Sequence, residues 1–218
     1  MAKAVIFDFD GVIVDSEPLH YRTFSEALAP LGVSIERASW YRDFAGTGSR
    51  AIIERLLEEN GIKADVEALI ERRKSLFAGY AGKGALRPTS GLRVFLRRIR
   101  SAGMKTAVAS GGHRDNIEQI LTGLGLLSQF DAIVGFEDVR NRKPHPEIFL
   151  AAARRLSVEP GDCIVIEDSV PGCEAAGRAG MRLVLMDSPA APMISGYDMR
   201  IRDFRGLDAG LLGLAPGK

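Results

Sequence analysis

Five short apolar runs, continuous rather than alternating, constrain the fold of this chain more than any other feature. The runs are 4–9, 105–110, 131–136, 163–168 and 182–187. Continuous apolar runs of this length are typical of strands that are covered on both faces, as in a parallel sheet between two layers of helices. They therefore predict a buried parallel sheet.

Helical patterns separate the later runs. The segments 91–100, 115–125 and 145–156 each place their apolar residues on one face of a helix. Strand and helix thus alternate from residue 90 onward. This alternation predicts the α/β class, with a doubly wound parallel (Rossmann-like) sheet as its core.

The interval between the first two runs is too long for an ordinary crossover. A parallel crossover needs about a dozen residues or a little more, whereas this interval contains several helical patterns of its own. It ends in a segment rich in Gly and Pro, "YAGKGALRPTSG" at 80–91. We therefore predict a helical domain at 16–83, inserted into an α/β core that is formed by 1–15 and 84–218.

Composition and charge exclude several classes of function. The 29 basic and 28 acidic residues leave a net charge of +1, which gives no sign of a nucleic-acid or anionic membrane partner. No apolar run approaches the roughly 18 residues that a membrane span needs. The first acid, Asp8, comes too early for a signal peptide. We expect a cytoplasmic monomer, with Cys163 and Cys173 as reduced thiols rather than a disulfide or zinc site.

Residues with catalytic chemistry lie at the carboxyl ends of three of the predicted strands, the first, second and fourth, and shortly after the third. They are Asp8 and Asp10, Ser110 with Gly111 and Gly112, Lys143, and Glu167 with Asp168. Ligands of open α/β sheets bind beyond the carboxyl ends of the strands, so these side chains are expected to converge. Four carboxylates at one edge predict a hard cation such as Mg²⁺. The lysine, the hydroxyl and the glycine amides suit a phosphoryl anion.

The order and spacing of these residues resemble the four motifs of the haloacid dehalogenase superfamily. The matching stretches are "DFDGVIVDS" from residue 8, Ser110, Lys143 in "KPHPEIF", and "IEDSVPGCEAAGRAGM" from residue 166. The resemblance covers the whole chain. It is similar to the subgroup that contains β-phosphoglucomutases and sugar phosphatases, and it implies that the inserted helical domain is a cap.

The resemblance implies a role for each core residue. Asp8 would be the nucleophile that becomes an aspartyl-phosphate, and Asp10 the general acid and then the base. Ser110, Gly111 and Lys143 would hold the transferring phosphoryl oxygens. Mg²⁺ would be bound by Asp8, the Asp10 carbonyl and Asp168, with Glu167 binding directly or through water. An aspartate at position 10 points to phosphate esters rather than to carbon–halogen or phosphonate substrates.

Five further residues have both a functional and a structural interpretation. Thr47 and Arg50 lie in the glycine-rich stretch "FAGTGSR" at 44–50, which either contacts substrate or forms a turn between helices. Lys74 either reaches the substrate or belongs to a solvated helix face. His20 and His113 lie near motif segments and are candidates for substrate contact, although surface histidines near helix starts are common.

Three functions fit these observations. The first is a Mg²⁺-dependent phosphatase that hydrolyses a small phosphorylated metabolite, such as a sugar phosphate or a phosphoglycolate-like acid. The second is a β-phosphoglucomutase-type isomerase, in which a sugar hydroxyl replaces water as the phosphoryl acceptor. The third is a non-catalytic binding module on the same fold, which would have no use for a nucleophile and a proton shuttle. We expect the phosphatase.

Overall fold

The computed structural model describes residues 2–44, 48–82 and 84–207. The chain divides into two compact units, of which one comprises Met1–Asp15 with Arg87–Lys218 and the other comprises Ser16–Leu86. The second junction therefore lies at 86/87, a few residues beyond the 83/84 boundary that the sequence suggests.

The larger unit is built on a sheet in which every neighbouring pair of strands is parallel. Its strands are β1 (Ala4–Phe7), β2 (Lys105–Ala109), β3 (Ala132–Val134), β4 (Cys163–Glu167), β5 (Arg182–Met186) and β6 (Met199–Ile201). Their order is β3-β2-β1-β4-β5-β6. The prediction of a doubly wound α/β sheet is confirmed. The sequence did not indicate β6, because three residues with an exposed Arg200 at the centre do not form an apolar run.

The smaller unit is helical and has its own apolar core. It contains α1 (Glu17–Leu28), α2 (Arg37–Ser39), a π-helical turn at Trp40–Phe44, α3 (Ser49–Glu59) and α4 (Val66–Gly82). The buried indole of Trp40 packs against Phe24 and Phe44, at ring-centroid distances of 5.1 and 6.1 Å. Its Nε1 donates a hydrogen bond of 2.7 Å to Glu17 Oε1. Trp40 therefore joins α1 to the turn that follows α2.

Helices cover both faces of the sheet in the larger unit. They are α5 (Leu92–Ser101), α6 (Arg114–Gly123), α7 (Glu147–Leu156) and α8 (Val170–Arg178). Ile6 belongs to the apolar cluster that contains Phe149 of α7. Phe7, the next residue on β1, meets Phe95 of α5 edge-on at 6.1 Å. Because successive strand residues point to opposite faces, both faces of β1 are buried, which explains its unbroken apolar sequence.

Two observations concern the predictions about membrane spans and about the redox state of the cysteines. In the parts of the chain that the structure describes, no helix combines the length and apolarity that crossing a membrane requires. Cys163 and Cys173 are both buried, and burial raises the pKa of the first thiol to about 11 and of the second to about 12. Both thiols are therefore protonated at neutral pH, as expected for structural cysteines.

Candidate active site

The strand register brings the predicted catalytic residues to one edge of the sheet. Phe7 pairs with Val108 on one side and with Ile166 on the other, so the chain leaves β1, β2 and β4 at the same level. Asp8 follows Phe7 directly and donates its backbone N–H to Ile166 O over 2.9 Å. Ser110 follows β2, and Glu167 is the last residue of β4. All three are buried polar residues.

Lys143 reaches this edge from the segment between β3 and α7. Its Nζ donates hydrogen bonds to Asp8 Oδ1, to Glu167 Oε1 at 2.7 Å and to Ala109 O at 3.3 Å. The ammonium group also lies 4.9 Å from the ring centroid of Phe149 on α7. The Lys143 side chain is only 13% exposed, so these contacts form in a region of low dielectric, where they are strong.

Burial and charge shift the pKa values of this cluster. Burial raises the pKa of Asp8 to about 7, although the Lys143 ammonium opposes the change. Burial alone would lower the pKa of Lys143, but the carboxylates of Asp8 and Glu167 outweigh it, and the lysine pKa lies above its ordinary value. Burial, followed by the charges of Glu167 and Asp8, raises the pKa of Asp168 well above its usual range. When Asp8, Glu167 and Asp168 are all ionised, their carboxylates carry more negative charge than Lys143 alone can neutralise.

Both carboxylate oxygens of Glu167 have protein partners. Oε1 accepts from Lys143 Nζ, and Oε2 accepts from the backbone N–H groups of Asp168 and Ser169, each at 2.6 Å. The Ser169 hydroxyl donates a further bond of 3.0 Å to Oε2. The sequence indicated Glu167 as a metal ligand, and that role stays a prediction. The contacts in the structure direct its carboxylate to the lysine and to the start of α8.

Asp168 lies against the loop that follows β1. Gly11 in that loop has a φ of 76°, and a Cβ on it would overlap the Asp168 carboxyl group. The Ser188 hydroxyl donates a bond of 2.6 Å to the Asp168 carbonyl and so ties the loops after β4 and β5 together. Because Gly11 has no side chain, the Asp168 carboxylate can lie close to the "DFDG" loop.

These residues fit a magnesium ion by their donor chemistry. The excess negative charge described above favours a cation, and Mg²⁺ is commonly held by one or two carboxylates while it keeps several waters. Asp8 and Asp168 supply two such carboxylates, and the Asp10 carbonyl would be a third oxygen donor. Over residues 2–44, 48–82 and 84–207, no three His, Cys, Asp or Glu side chains are grouped as a metal site. A set of two side chains and a carbonyl does not require such a group.

The loop after β2 supplies hydrogen-bonding groups at the same edge. Ser110 Oγ accepts from Gly112 N at 3.0 Å, so its hydroxyl proton can be donated to an anion. His113 is the N-cap residue of α6. Its imidazole is 66% exposed, lies 3.8 Å from Glu137 and meets the Phe136 ring edge-on. His113 is therefore held near the surface by residues that follow β3.

The candidates in the helical unit have partners within that unit. Arg50 forms ion pairs with Glu54, at 3.3 Å, and with Glu67. Lys74 pairs with Glu71 at 2.7 Å. Both side chains are more than half exposed, and neither pair tests a role in substrate binding. Thr47, the remaining candidate of that glycine-rich stretch, lies outside the described residues.

His20 occupies a more elaborate environment than the sequence suggests. Its ring stacks on Phe77 at 4.7 Å, and its Nδ1 contacts a guanidinium nitrogen of Arg73. Arg73 is buried, and its guanidinium lies 4.9 and 5.0 Å from the ring centroids of Phe24 and Phe77. Because arginine only donates hydrogen bonds, Nδ1 of His20 is the acceptor in this contact. Arg73 was not among the residues that the sequence singled out, although it lies next to the candidate Lys74 on α4.

Comparisons with known proteins give one matching family model and several similar proteins. A family model described as haloacid dehalogenase-like hydrolase matches residues 2–180. The chain is 33% identical over 214 residues to YhcW of Bacillus subtilis, and the aligned region covers 97% of this chain and 96% of YhcW. It is 32% identical over 206 residues to hexitol phosphatase B of Escherichia coli K12, with coverage of 86% and 85%. CbbY from Rhodobacter sphaeroides, crystallised in complex with phosphate, has a TM-score of 0.78 at 27% identity and covers 98% of this chain and 100% of its own.

Proposed function

Because the chain belongs to the haloacid dehalogenase-like hydrolases, we propose that it hydrolyses a small phosphorylated metabolite with Mg²⁺ and an aspartyl-phosphate intermediate. The resemblance carried by the four motifs is confirmed, and the chain is a phosphoric monoester hydrolase. The observation that carries the finer proposal is the contact of Lys143 with both Asp8 and Glu167 at the carboxyl edge of the sheet.

Asp8 is the proposed nucleophile. An ionised carboxylate attacks phosphorus, and the two-step route divides one difficult displacement into two easier ones. Attack by an anion on an anionic phosphate is opposed by charge repulsion. The Lys143 ammonium, in contact with Asp8 Oδ1, opposes the rise in pKa that burial causes and so favours the ionised carboxylate, and it offsets part of the charge of the incoming phosphoryl group.

Asp10 is the proposed proton carrier. It follows the nucleophile by two residues and is exposed, so it can meet both a leaving group and a water molecule. It protonates the leaving alkoxide in the first step and removes a proton from the attacking water in the second. Proton transfer of this kind contributes on the order of 10²–10⁴-fold to a rate.

Ser110 and the amides of the following glycines are proposed to hold the phosphoryl oxygens. The Ser110 proton and the N–H of Gly111 would donate to two of these oxygens, and Lys143 would meet a third. Asp8, the Asp10 carbonyl and Asp168 would hold Mg²⁺, which when bound neutralises charge on the phosphate and so favours attack by the nucleophile. Every group in this set belongs to the sheet unit.

Water is the proposed phosphoryl acceptor. Support comes from the likeness to a hexitol phosphatase, which favours hydrolysis of a sugar or sugar-alcohol phosphate over an isomerase function. The substrate-binding roles of His20, Thr47, Arg50, Lys74 and His113 stay predictions, and so do the monomeric state and the cytoplasmic location.

A panel of phosphate esters tests this function. Purified protein with Mg²⁺ is offered hexitol phosphates, hexose phosphates and 2-phosphoglycolate, and released phosphate is measured. We expect turnover of at least one sugar or sugar-alcohol phosphate, with no turnover by Asp8→Asn. In a parallel assay, β-glucose 1-phosphate is supplied with a trace of the 1,6-bisphosphate. Glucose 6-phosphate that forms much faster than free phosphate would contradict the proposal and favour the isomerase.

A further inference from the structure

Helix α8 starts beside the buried acid that contacts the catalytic lysine, and its third residue has no side chain. A Cβ on Gly172 would overlap the Glu167 carboxyl group, whose three atoms all lie within 2.6 Å of that position. Non-bonded atoms do not approach so closely. The Glu167 carboxylate therefore occupies the space that a side chain at position 172 would need.

Glu167 is not free to move aside. Its side chain is 1% exposed and accepts four hydrogen bonds, from Lys143, from the N–H groups of Asp168 and Ser169, and from the Ser169 hydroxyl. A long side chain at the surface would simply change its rotamer. Here any displacement breaks buried hydrogen bonds to a charged group, which are costly to lose.

The same contacts connect α8 to the nucleophile. Ser169 is the N-cap of α8, and its Oγ accepts from Gly172 N at 3.2 Å while it donates to Glu167. Glu167 in turn accepts from Lys143, which donates to Asp8. A shift of the Glu167 carboxylate would therefore change the position of the ammonium group that faces the nucleophile.

We propose that Gly172 is a positioning residue for the hydrolase reaction. Its missing side chain allows the Glu167 carboxylate to hold Lys143 against Asp8. This inference rests on the proposed function and extends it, since it assigns Glu167 to the lysine and explains why α8 begins with a glycine in its first turn. A side chain at position 172 affects turnover through Lys143 rather than through contact with the substrate.

The test introduces Gly172→Ala in two backgrounds. In the wild type the new methyl group displaces the Glu167 carboxylate, and we expect kcat to fall at least about tenfold, since misplacement by about 1 Å can cost on the order of 10²-fold. In Glu167→Asp the shorter side chain withdraws from the methyl group. There the same substitution should lower kcat by less than about threefold, within the range of small packing changes.

A matched control lies in the same helix. Gly177 is exposed on α8, and a Cβ added to it meets nothing within 4 Å. Gly177→Ala therefore makes the same chemical change without the overlap, and it should leave kcat unchanged. Circular dichroism and urea unfolding report whether each variant folds.

A second readout does not depend on activity. An amine-reactive acylating reagent, followed by peptide mass spectrometry, measures the labelling rate of Lys143 relative to Lys3, whose side chain is 68% exposed. We expect faster labelling of Lys143 in Gly172→Ala and in Glu167→Gln than in the wild type, because both changes weaken the contact with Glu167. Gly177→Ala should match the wild type.

The outcomes separate this inference from the proposed function. An equal loss of kcat in both backgrounds, or a failure of Gly172→Ala to fold in both, would overturn it, because the overlap would then not lie with the Glu167 carboxylate. Folding that fails only when Glu167 is present would support it. If the wild type hydrolyses no phosphate ester, the proposed function is wrong, and the labelling of Lys143 still decides the inference. Unchanged labelling would overturn it.

Discussion

The substitution Gly11→Ala tests the proposed magnesium site through a residue that is not itself a ligand side chain. It has two separate consequences. First, the φ of 76° at Gly11 is a left-handed conformation, which costs roughly 1–2 kcal/mol for a residue with a Cβ. Second, the new methyl group overlaps the Asp168 carboxylate and forces it away from the "DFDG" loop.

A control separates these two effects. Gly103, between α5 and β2, has a φ of 77°, and a Cβ on it meets nothing within 4 Å. Gly103→Ala therefore carries the same backbone strain without the displacement of Asp168. In EDTA, Gly103→Ala should lose about 1–2 kcal/mol of unfolding free energy. Gly11→Ala should lose more than that, because its methyl group also overlaps Asp168.

The effect of displacing Asp168 is measured by how much Mg²⁺ stabilises each protein against unfolding. At a Mg²⁺ concentration about 100 times the dissociation constant, bound metal should stabilise the wild type by about 2.7 kcal/mol. Disturbing the surroundings of a metal site typically weakens binding by 10- to 100-fold. For a thirtyfold loss, the stabilisation at the same concentration falls to about 0.9 kcal/mol. Gly103→Ala should keep the full value.

The assay is urea unfolding of the three proteins with EDTA and with Mg²⁺. If Gly11→Ala gains as much stability from Mg²⁺ as Gly103→Ala does, the position of the Asp168 carboxylate does not control metal binding. If the wild type itself gains none, the proposed site does not bind the metal at these concentrations.

Three further predictions concern turnover and the pH dependence of the unfolding free energy. Asp8→Asn should fold and lose all measurable phosphate release, whereas Asp10→Asn should keep a low activity, reduced about 10²–10⁴-fold. Comparable activities in the two variants would contradict the assigned roles. In EDTA, the unfolding free energy should fall as pH rises from 5 to 7.5, because Asp8 has a pKa raised to about 7 and the folded state binds the extra proton below it; thermal melts should show a smaller change for Asp8→Asn. Asp131→Ala removes the hydrogen-bond acceptor of Thr106 N and the ion-pair partner of Arg100. It should therefore lower the unfolding free energy at pH 7 by about 1–3 kcal/mol, and by a value near the lower end because the carboxylate is partly exposed. Burial would raise the pKa of Asp131, but its hydrogen bonds with Thr106 and Arg100 outweigh burial and lower that pKa. In urea unfolding, the difference in stability between wild type and Asp131→Ala should therefore shrink as the pH falls below about 4, where the carboxylate becomes protonated.

Much of the site could be predicted because a parallel sheet collects the ends of its strands. Asp8, Ser110 and Glu167 each lie at or near the carboxyl end of an apolar run, and the register of β1, β2 and β4 brings them to one edge. The position of Lys143 before a proline-marked helix start was likewise visible. Alternation of strands and helices determined the fold class, because burial on both faces leaves an apolar run that solvent-exposed segments do not show.

The partners of the charged groups could not be predicted from the sequence. Glu167 and Asp168 are adjacent acids, yet the first accepts from Lys143 and the start of α8 while the second lies against Gly11. Adjacent strand residues point to opposite sides, but which cation or glycine each one meets depends on elements far away in the chain.

The class of fold, the edge that carries the chemistry and the residue types available there all follow from the order of residues along the chain. Folding in three dimensions was needed to show that carboxylates occupy the space beside Gly11 and Gly172 and that Phe149 lies under Lys143. This division arises because hydrophobic periodicity reports which residues leave water. Contacts of a few ångströms between buried charges depend on packing that periodicity does not encode.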